Sequence, residues 1–171
     1  MKYQERCECC DSIVTAYTHN LNKPLVSALR QLVDFYFERR KAYVTKRMGE
    51  GSNYRMPTDG TEAMCNIARD LKLTHNQLAN FQKLQYFGLV FRVGGSGTWL
   101  PTPDGIQFVH GELSILSPVA TFKGKVIPTS HDAWKTHNGR QESLHIKDVD
   151  VFSYKQREEY QAEKSQQQSL I

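Results

Sequence analysis

The chain has 171 residues, a formal net charge of +4 at pH 7 and a hydrophobic fraction of 39%. This composition excludes a disordered protein and limits the chain to one domain or a small domain with appendages, while the charge is too mild to identify a nucleic-acid binder. No apolar run is long enough to cross a membrane, and the N-terminus lacks the apolar stretch of a signal peptide. We therefore expect a cytoplasmic protein without a membrane partner.

Residues 1–19 are predicted to form a cysteine-bearing N-terminal element. Three of the four cysteines crowd into it, and a reducing cytoplasm argues against a disulfide framework. Cys7 and Cys10 have the spacing of half a zinc site, because two thiolates from one tight turn can bind one metal. Further ligands would have to be found among Cys9, His19, Cys65 or a more distant histidine. Zinc at Cys7 and Cys10 and a set of ordinary thiols remain open alternatives.

Residues 20–110 are predicted to form the main domain, which begins with a long helix. Asn22 and Pro24 are typical of a helix start. Apolar residues then repeat with the 3.6-residue period at Leu25, Val26, Leu29, Leu32, Val33, Tyr36 and Phe37. This helix should supply the first layer of the core, and it should end in the polar, glycine-containing loop that runs from residue 48 to residue 60.

Two amphipathic helices separated by a short break follow the loop. The first has apolar residues at helical spacing, Met64, Ile67, Ala68 and Leu71, and Cys65 beside them is expected to be a buried core thiol. The second has Leu78, Phe81 and Leu84 on its inner face. Thr74 and Gln77 form the pattern of a capping box at its start, and Gly88 suits its C-terminal stop.

The next segment predicts a β-hairpin and a short helix. Residues 89–93 have the composition of a strand, residues 94–97 are a glycine-rich turn, and residues 98–100 return as the partner strand. Pro103 suits the first turn of a helix that continues to Val109. The order of helix, turn, helix, strand, hairpin, strand and helix is that of a winged helix-turn-helix domain, with the hairpin as the wing.

Residues 111–155 are predicted to form a small β-rich extension. Residues 119–122 and 126–127 flank a Lys-Gly-Lys turn and should pair as a hairpin, and residues 144–146 are a further candidate strand. Residues 156–171 are polar and are expected to be a disordered tail. The predicted fold class is α+β: a winged helix-turn-helix core with an added N-terminal long helix and a small C-terminal β-hairpin region.

Two runs, residues 81–90 and 97–108, carry an aromatic-Gly-Leu helix end, a Gly-x-Trp strand and a Thr-x-x-Gly-x-x-Phe helix. Together with the N-terminal Cys-x-x-Cys element, they resemble small phage and prophage winged-helix proteins of unassigned function. The resemblance covers the greater part of the chain. It implies a winged-helix fold and a phage setting, and therefore the cytoplasm of an infected host, but no reaction and no known target.

The second helix of the pair has no acidic residue and is rich in side-chain amides. Such a helix suits the major groove, because Asn and Gln can bond adenine in a bidentate manner and Lys can contact guanine or phosphate. Duplex DNA is therefore the expected partner. The candidate DNA-binding residues are His75, Asn76, Asn80 and Lys83 on this helix, Arg92, Ser96 and Thr98 at the wing, and Arg39 and Arg40 in a locally basic stretch of the long helix.

Two other interpretations stay open. The same surface features describe an interaction protein that binds and inhibits a host factor such as a polymerase or a defence protein, because a fold does not decide a function. Three loop residues, His131, Asp132 and His137, have the chemistry of metal ligands or proton carriers, but no nucleophile motif or carboxylate cluster accompanies them. No enzymatic activity and no small-molecule substrate are expected.

Overall fold

The computed structural model describes residues 2–6, 13–49, 60–95, 97–127 and 141–150, and it is a mixed α+β structure, as predicted. No helix among these residues is long and apolar enough to span a membrane. The elements in chain order are β1 (Lys2–Arg6), β2 (Ile13–His19), α1 (Lys23–Gly49), a 3-10 turn (Thr61–Ala63), β3 (Cys65–Asn66), α2 (Ile67–Asp70), α3 (His75–Asn80), a 3-10 segment (Phe81–Phe87), β4 (Val90–Arg92), β5 (Thr98–Pro101), α4 (Pro103–His110), β6 (Ile115–Ser117), β7 (Val119–Phe122), β8 (Lys125–Val126), β9 (Glu142–Leu144) and α5 (Ile146–Val149).

The long helix α1 begins where the sequence predicts. The Asn22 side chain accepts a hydrogen bond from the backbone N–H of Leu25 at 3.1 Å, which satisfies one of the free donors at the helix start. The buried face of α1 consists of Leu25, Val26, Ala28, Leu29, Leu32 and Val33. Phe37 was expected to continue this face but is 44% exposed, because α1 is about 40 Å long and extends beyond the core.

The first of the two predicted short helices is only partly present. Residues 65 and 66 form strand β3 instead, which pairs antiparallel with β5, and only the single turn α2 is helical. Met64 is 41% exposed, so the helical spacing of its side chain does not reflect core packing. Pairing with a distant strand overrides the local helical pattern here, and the Asn66 side chain then caps α2 by accepting from the backbone N–H of Arg69 at 3.2 Å.

The second short helix is confirmed over its whole length. It runs as α3 and continues without interruption into the 3-10 segment Phe81–Phe87. The capping box of Thr74 and Gln77 is present, and Gly88 ends the segment in the left-handed conformation with φ 71°. Phe81 and Leu84 are fully buried, and Leu78 packs against the same core while partly exposed.

A three-stranded antiparallel sheet in the order β3-β5-β4 lies beside these helices. Strands β4 and β5 form the predicted hairpin, closed by a bond from the Val93 N–H to the Thr98 carbonyl at 3.0 Å. Trp99 on β5 is 5% exposed, and its ring meets that of Phe81 edge to face at 5.5 Å. Trp99 therefore belongs to the core.

Helix α4 packs closely against the end of the helical segment. Pro103 occupies its first turn, as predicted, and the Thr102 side chain accepts from the Gly105 N–H at 3.0 Å. A Cβ atom on residue 105 would overlap the backbone carbonyl of Leu89, so only glycine fits this approach. Phe108 on the same helix is fully buried in the core.

A second sheet joins two regions that the sequence treats as separate. Its strand order is β1-β2-β7-β8, and β2 pairs with β7 across a long sequence separation, from Ala16 opposite Phe122 to His19 opposite Val119. The predicted β7–β8 hairpin is confirmed. Strand β9 pairs with β6 but ends at Leu144, and Ile146 begins α5, so the prediction of a strand over residues 144–146 is wrong for its last two residues. The tail from residue 156 lies outside the described residues.

Candidate functional site

The outward face of residues 75–87 forms a continuous exposed stripe with three polar members. Its members are exposed and follow each other at spacings of four, three and three residues: His75, Ala79, Gln82 and Gln85. Residues three apart lie directly above one another in a 3-10 helix, so Gln82 and Gln85 point the same way. No aspartate or glutamate occurs in the sequence between Asp70 and Asp104. We call these four residues the exposed stripe.

Asn76 and Asn80 do not both lie free on this face. Asn76 is exposed, but Asn80 is half-buried, contrary to the expectation that it would be exposed. The Asn80 amide nitrogen donates to the backbone carbonyl of Asn76 at 2.8 Å and to its side-chain oxygen at 2.7 Å. The donors of Asn80 are thereby used within the helix, and Asn80 cannot offer an adenine both a donor and an acceptor without giving up these bonds.

Lys83 lies on the edge of the segment that faces the second sheet. Burial, and next the positive charge of Lys83, lower the pKa of His19 at the end of β2. The His19 ring lies against the Tyr86 ring with centroids 4.9 Å apart and the ring planes tilted by 30°. The His19 Nε2 atom shares a hydrogen bond with the Thr121 hydroxyl at 2.8 Å. The second sheet therefore flanks one edge of the helical segment and leaves the exposed stripe open.

A polar pocket of about 170 Å³ lies between the start of α1 and α3. It is lined by Asn20, Asn22, Pro24, Leu25, Asn76, Gln77, Asn80 and Lys83. Three of the four DNA-binding residues predicted on this helix thus share one pocket, which we call the amide pocket, while His75 belongs to the exposed stripe. Sequence reasoning missed Asn20 and Asn22, because nothing local indicates that the segment before α1 faces the edge of α3.

Of the two predicted hairpin residues that the structure describes, one is exposed. Arg92 is exposed at the end of β4, and Thr98 is half-buried at the start of β5. Ser96 lies outside the described residues. Gly97 has φ 80°, a left-handed conformation that favours glycine at this turn.

The predicted basic residues of α1 have acidic neighbours. The Arg40 guanidinium lies 3.1 Å from a carboxylate oxygen of Glu62 and donates to the Tyr36 hydroxyl at 2.9 Å. Arg39 is exposed, but it lies close enough to Asp70 to help lower the pKa of that carboxyl, after the stronger effect of the hydrogen bond from Arg69. The ion pair with Glu62 partly neutralises Arg40, which weakens the attraction of Arg40 for phosphate.

The predicted zinc site cannot be placed. Cys7, Cys9 and Cys10 lie outside the described residues, as do His131, Asp132 and His137. Cys65 is fully buried and its pKa is raised to about 12, first by burial and then by Asp70, which confirms the predicted core thiol. No group of three His, Cys, Asp or Glu residues among the described positions is arranged to hold a metal. Zinc at Cys7 and Cys10 remains a prediction.

Comparisons of this chain with family models, with curated proteins and with solved structures found no match. Function must therefore be argued from the geometry of the exposed stripe, the hairpin and the amide pocket.

Proposed function

We propose that residues 20–110 form a winged helix-turn-helix domain and that the chain binds duplex DNA as a regulator of transcription or of other DNA transactions. The order α1, β3, α2, α3, β4 and β5, with β5 between β3 and β4 in the sheet, supports this fold. In such a domain the second helix of the pair enters the major groove, and the hairpin lies alongside it.

The observation that carries the proposal is the exposed stripe. It combines an imidazole and two amides with no carboxylate among its members, on a helical segment whose opposite face is fixed in the core. The major groove is wide enough for a helix, and a glutamine amide can bond both the donor and the acceptor edge of adenine. We assign base contacts to Gln82 and Gln85, with His75 beside them, in place of Asn80.

The hairpin supplies the proposed contact with the DNA backbone. Arg92 is exposed and, among the described residues, forms no ion pair. An arginine at this place suits a phosphate or the narrow minor groove, since both carry negative potential. The phage setting that the sequence resemblance implies belongs to the same proposal, and binding to a host protein is its alternative.

The experiment is a salt titration of the full chain with a fluorescent random duplex. Phosphate contacts release counterions, so log affinity should fall linearly with log salt, and Arg92→Gln should reduce the slope by about one. Lys125→Gln removes the same charge from exposed β8 and serves as the matched control, for which we expect no change. Absence of duplex binding at low salt would contradict the proposal.

A second measurement separates DNA from the alternative partner. The tagged chain is purified from host cells with and without nuclease treatment. DNA binding predicts that co-purifying material is lost after nuclease. A stoichiometric host protein that is retained after nuclease would favour the inhibitor hypothesis instead.

A further inference from the structure

We propose that the amide pocket, where the segment before α1 faces the edge of α3, binds a phosphate group, and that this group belongs to the DNA backbone beside the groove. The donors and the positive charge that line the pocket favour a phosphate. The assignment of this phosphate to the DNA backbone rests on the proposed function.

Two asparagines that line the pocket have side-chain oxygens that already accept hydrogen bonds. The Asn22 side-chain oxygen accepts from the Leu25 N–H at 3.1 Å, and the Asn76 side-chain oxygen accepts from the Asn80 amide nitrogen at 2.7 Å. A primary amide whose oxygen is bonded has two N–H groups left to offer. Both residues line the pocket, and we infer that each offers a side-chain N–H group to a ligand there.

Lys83 adds a positive charge that is not neutralised locally. Its side chain is half-buried, it lines the pocket, and it forms no ion pair with any described residue. No aspartate or glutamate is among the lining residues. A lysine placed among amide donors without a carboxylate attracts an anion.

Gln77 holds the two walls of the pocket at a fixed separation. Its side-chain oxygen accepts from the Thr74 N–H at 2.9 Å, and its nitrogen donates to the Pro24 carbonyl at 3.0 Å. Both ends of this 8% exposed amide are thus occupied, and it connects the start of α1 to the start of α3. The donors therefore stand in place before a ligand arrives, which lowers the entropic cost of binding.

The chemistry of the lining selects an oxyanion over a nucleobase. Among the described residues no aromatic ring lines the pocket, so a base would find no such surface on which to stack. The Asn22 and Asn76 amides and the Lys83 ammonium offer donors, and a phosphodiester of the DNA backbone offers only acceptors at neutral pH. The pocket lies on the edge of α3 next to the exposed stripe, and a helix seated in the major groove has backbone phosphates along its edges.

The first arm of the test uses inorganic phosphate and the full chain. The side-chain amide signals of Asn22 and Asn76 are followed by NMR while phosphate replaces chloride at constant ionic strength. We expect a saturable shift of both signals. Asn22→Asp should abolish it, because aspartate keeps the cap acceptor for Leu25 while replacing the donor with a negative oxygen. Lys83→Gln should weaken it, and Lys125→Gln should leave it unchanged.

The second arm uses the random duplex. Lys83→Gln should lower affinity and reduce the slope of log affinity against log salt by about one, and Asn22→Asp should lower affinity at least as much. Melting curves of both variants should match the parent, because neither side chain belongs to the core.

The two arms distinguish the possible sources of the phosphate. A phosphate-dependent shift together with a reduced slope supports both parts of the inference. A phosphate-dependent shift of the amide signals, together with an unchanged slope of log duplex affinity against log salt, supports a phosphate pocket. This result would also show that the phosphate belongs to a free compound and not to DNA. Variants that behave like Lys125→Gln in both arms overturn the pocket itself. If the parent chain binds no duplex, the proposed function fails, and the phosphate titration still decides the pocket.

Discussion

The two faces of residues 75–87 have opposite environments. On the inner face Phe81 and Leu84 are fully buried, and Gln77 is hydrogen-bonded at both ends of its amide. On the outer face Gln82 and Gln85 are exposed. Stability and binding therefore depend on different side chains of one segment. Mutations should separate the two properties, and any mutation that fails to do so would challenge the account.

The largest effect is expected from the core that the inner face contacts. Trp99→Ala removes a ring that is 5% exposed and packs edge to face on Phe81, so it should destabilise the protein by roughly 3–5 kcal/mol. Urea denaturation measures this change in the free energy of unfolding. Phe91→Ala on neighbouring β4 removes an aromatic ring that is 43% exposed, and it should cost much less. Equal losses in the two variants would show that Trp99 is not the buried member of the pair.

A smaller loss of stability should follow from overpacking where α4 contacts the end of the helical segment. Gly105→Ala places a methyl group against the Leu89 carbonyl, where the backbone must shift, and overpacking of this kind costs typically 1–3 kcal/mol. Gly49→Ala, where nothing lies within 4 Å, is the matched control and should not destabilise. Thermal melting of both variants checks this contact, and a Gly105→Ala protein as stable as the parent would contradict it.

A matched pair of glutamines tests the two faces directly. Gln77→Ala leaves the Thr74 N–H and the Pro24 carbonyl without this partner and should cost about 1–3 kcal/mol of stability. Gln82→Ala should leave the melting temperature unchanged and weaken binding to a selected DNA sequence by about 1–3 kcal/mol. The same two assays are run on both variants. A Gln82→Ala protein that melts at a lower temperature than the parent but binds DNA as well as the parent would reverse the assignment of the inner and outer faces.

The smallest expected effect is a pH dependence of stability caused by His19, which lies in the second sheet beside residues 75–87. The pKa of His19 is lowered by burial and by Lys83, so the folded state disfavours protonated His19. The unfolded state then binds more protons below pH 6.5, and stability should decrease as the pH falls from 6.5 through the lowered pKa. Urea midpoints at pH 7.5 and 5.5 measure this loss. It should shrink in His19→Gln and persist in His75→Gln, since His75 is exposed.

What could be predicted from the sequence was local. The helix over residues 75–87 follows from the spacing of Leu78, Phe81 and Leu84 and from a capping box whose partners are three residues apart. The β4–β5 and β7–β8 hairpins were equally accessible, because their glycine-rich turns lie between the paired strands.

What was missed depends on long-range contacts. Strand β3 was predicted as helix because its partner β5 is more than thirty residues away, and the joining of β2 to β7 leaves no local signal. Long-range contacts also decide which residues form the site. The sequence groups Asn76, Asn80 and Lys83 with His75, but in the structure the segment before α1 lies beside Asn76, Asn80 and Lys83, and these three residues line the amide pocket.

The most direct test of the central claim is a map of the duplex contact on the full chain by NMR. Backbone and side-chain amide signals are followed while a duplex selected for binding is added. We expect the largest changes at His75, Gln82 and Gln85 and at Arg92 in the hairpin, with little change along β8. Changes confined to the second sheet, with the exposed stripe unaffected, would contradict it.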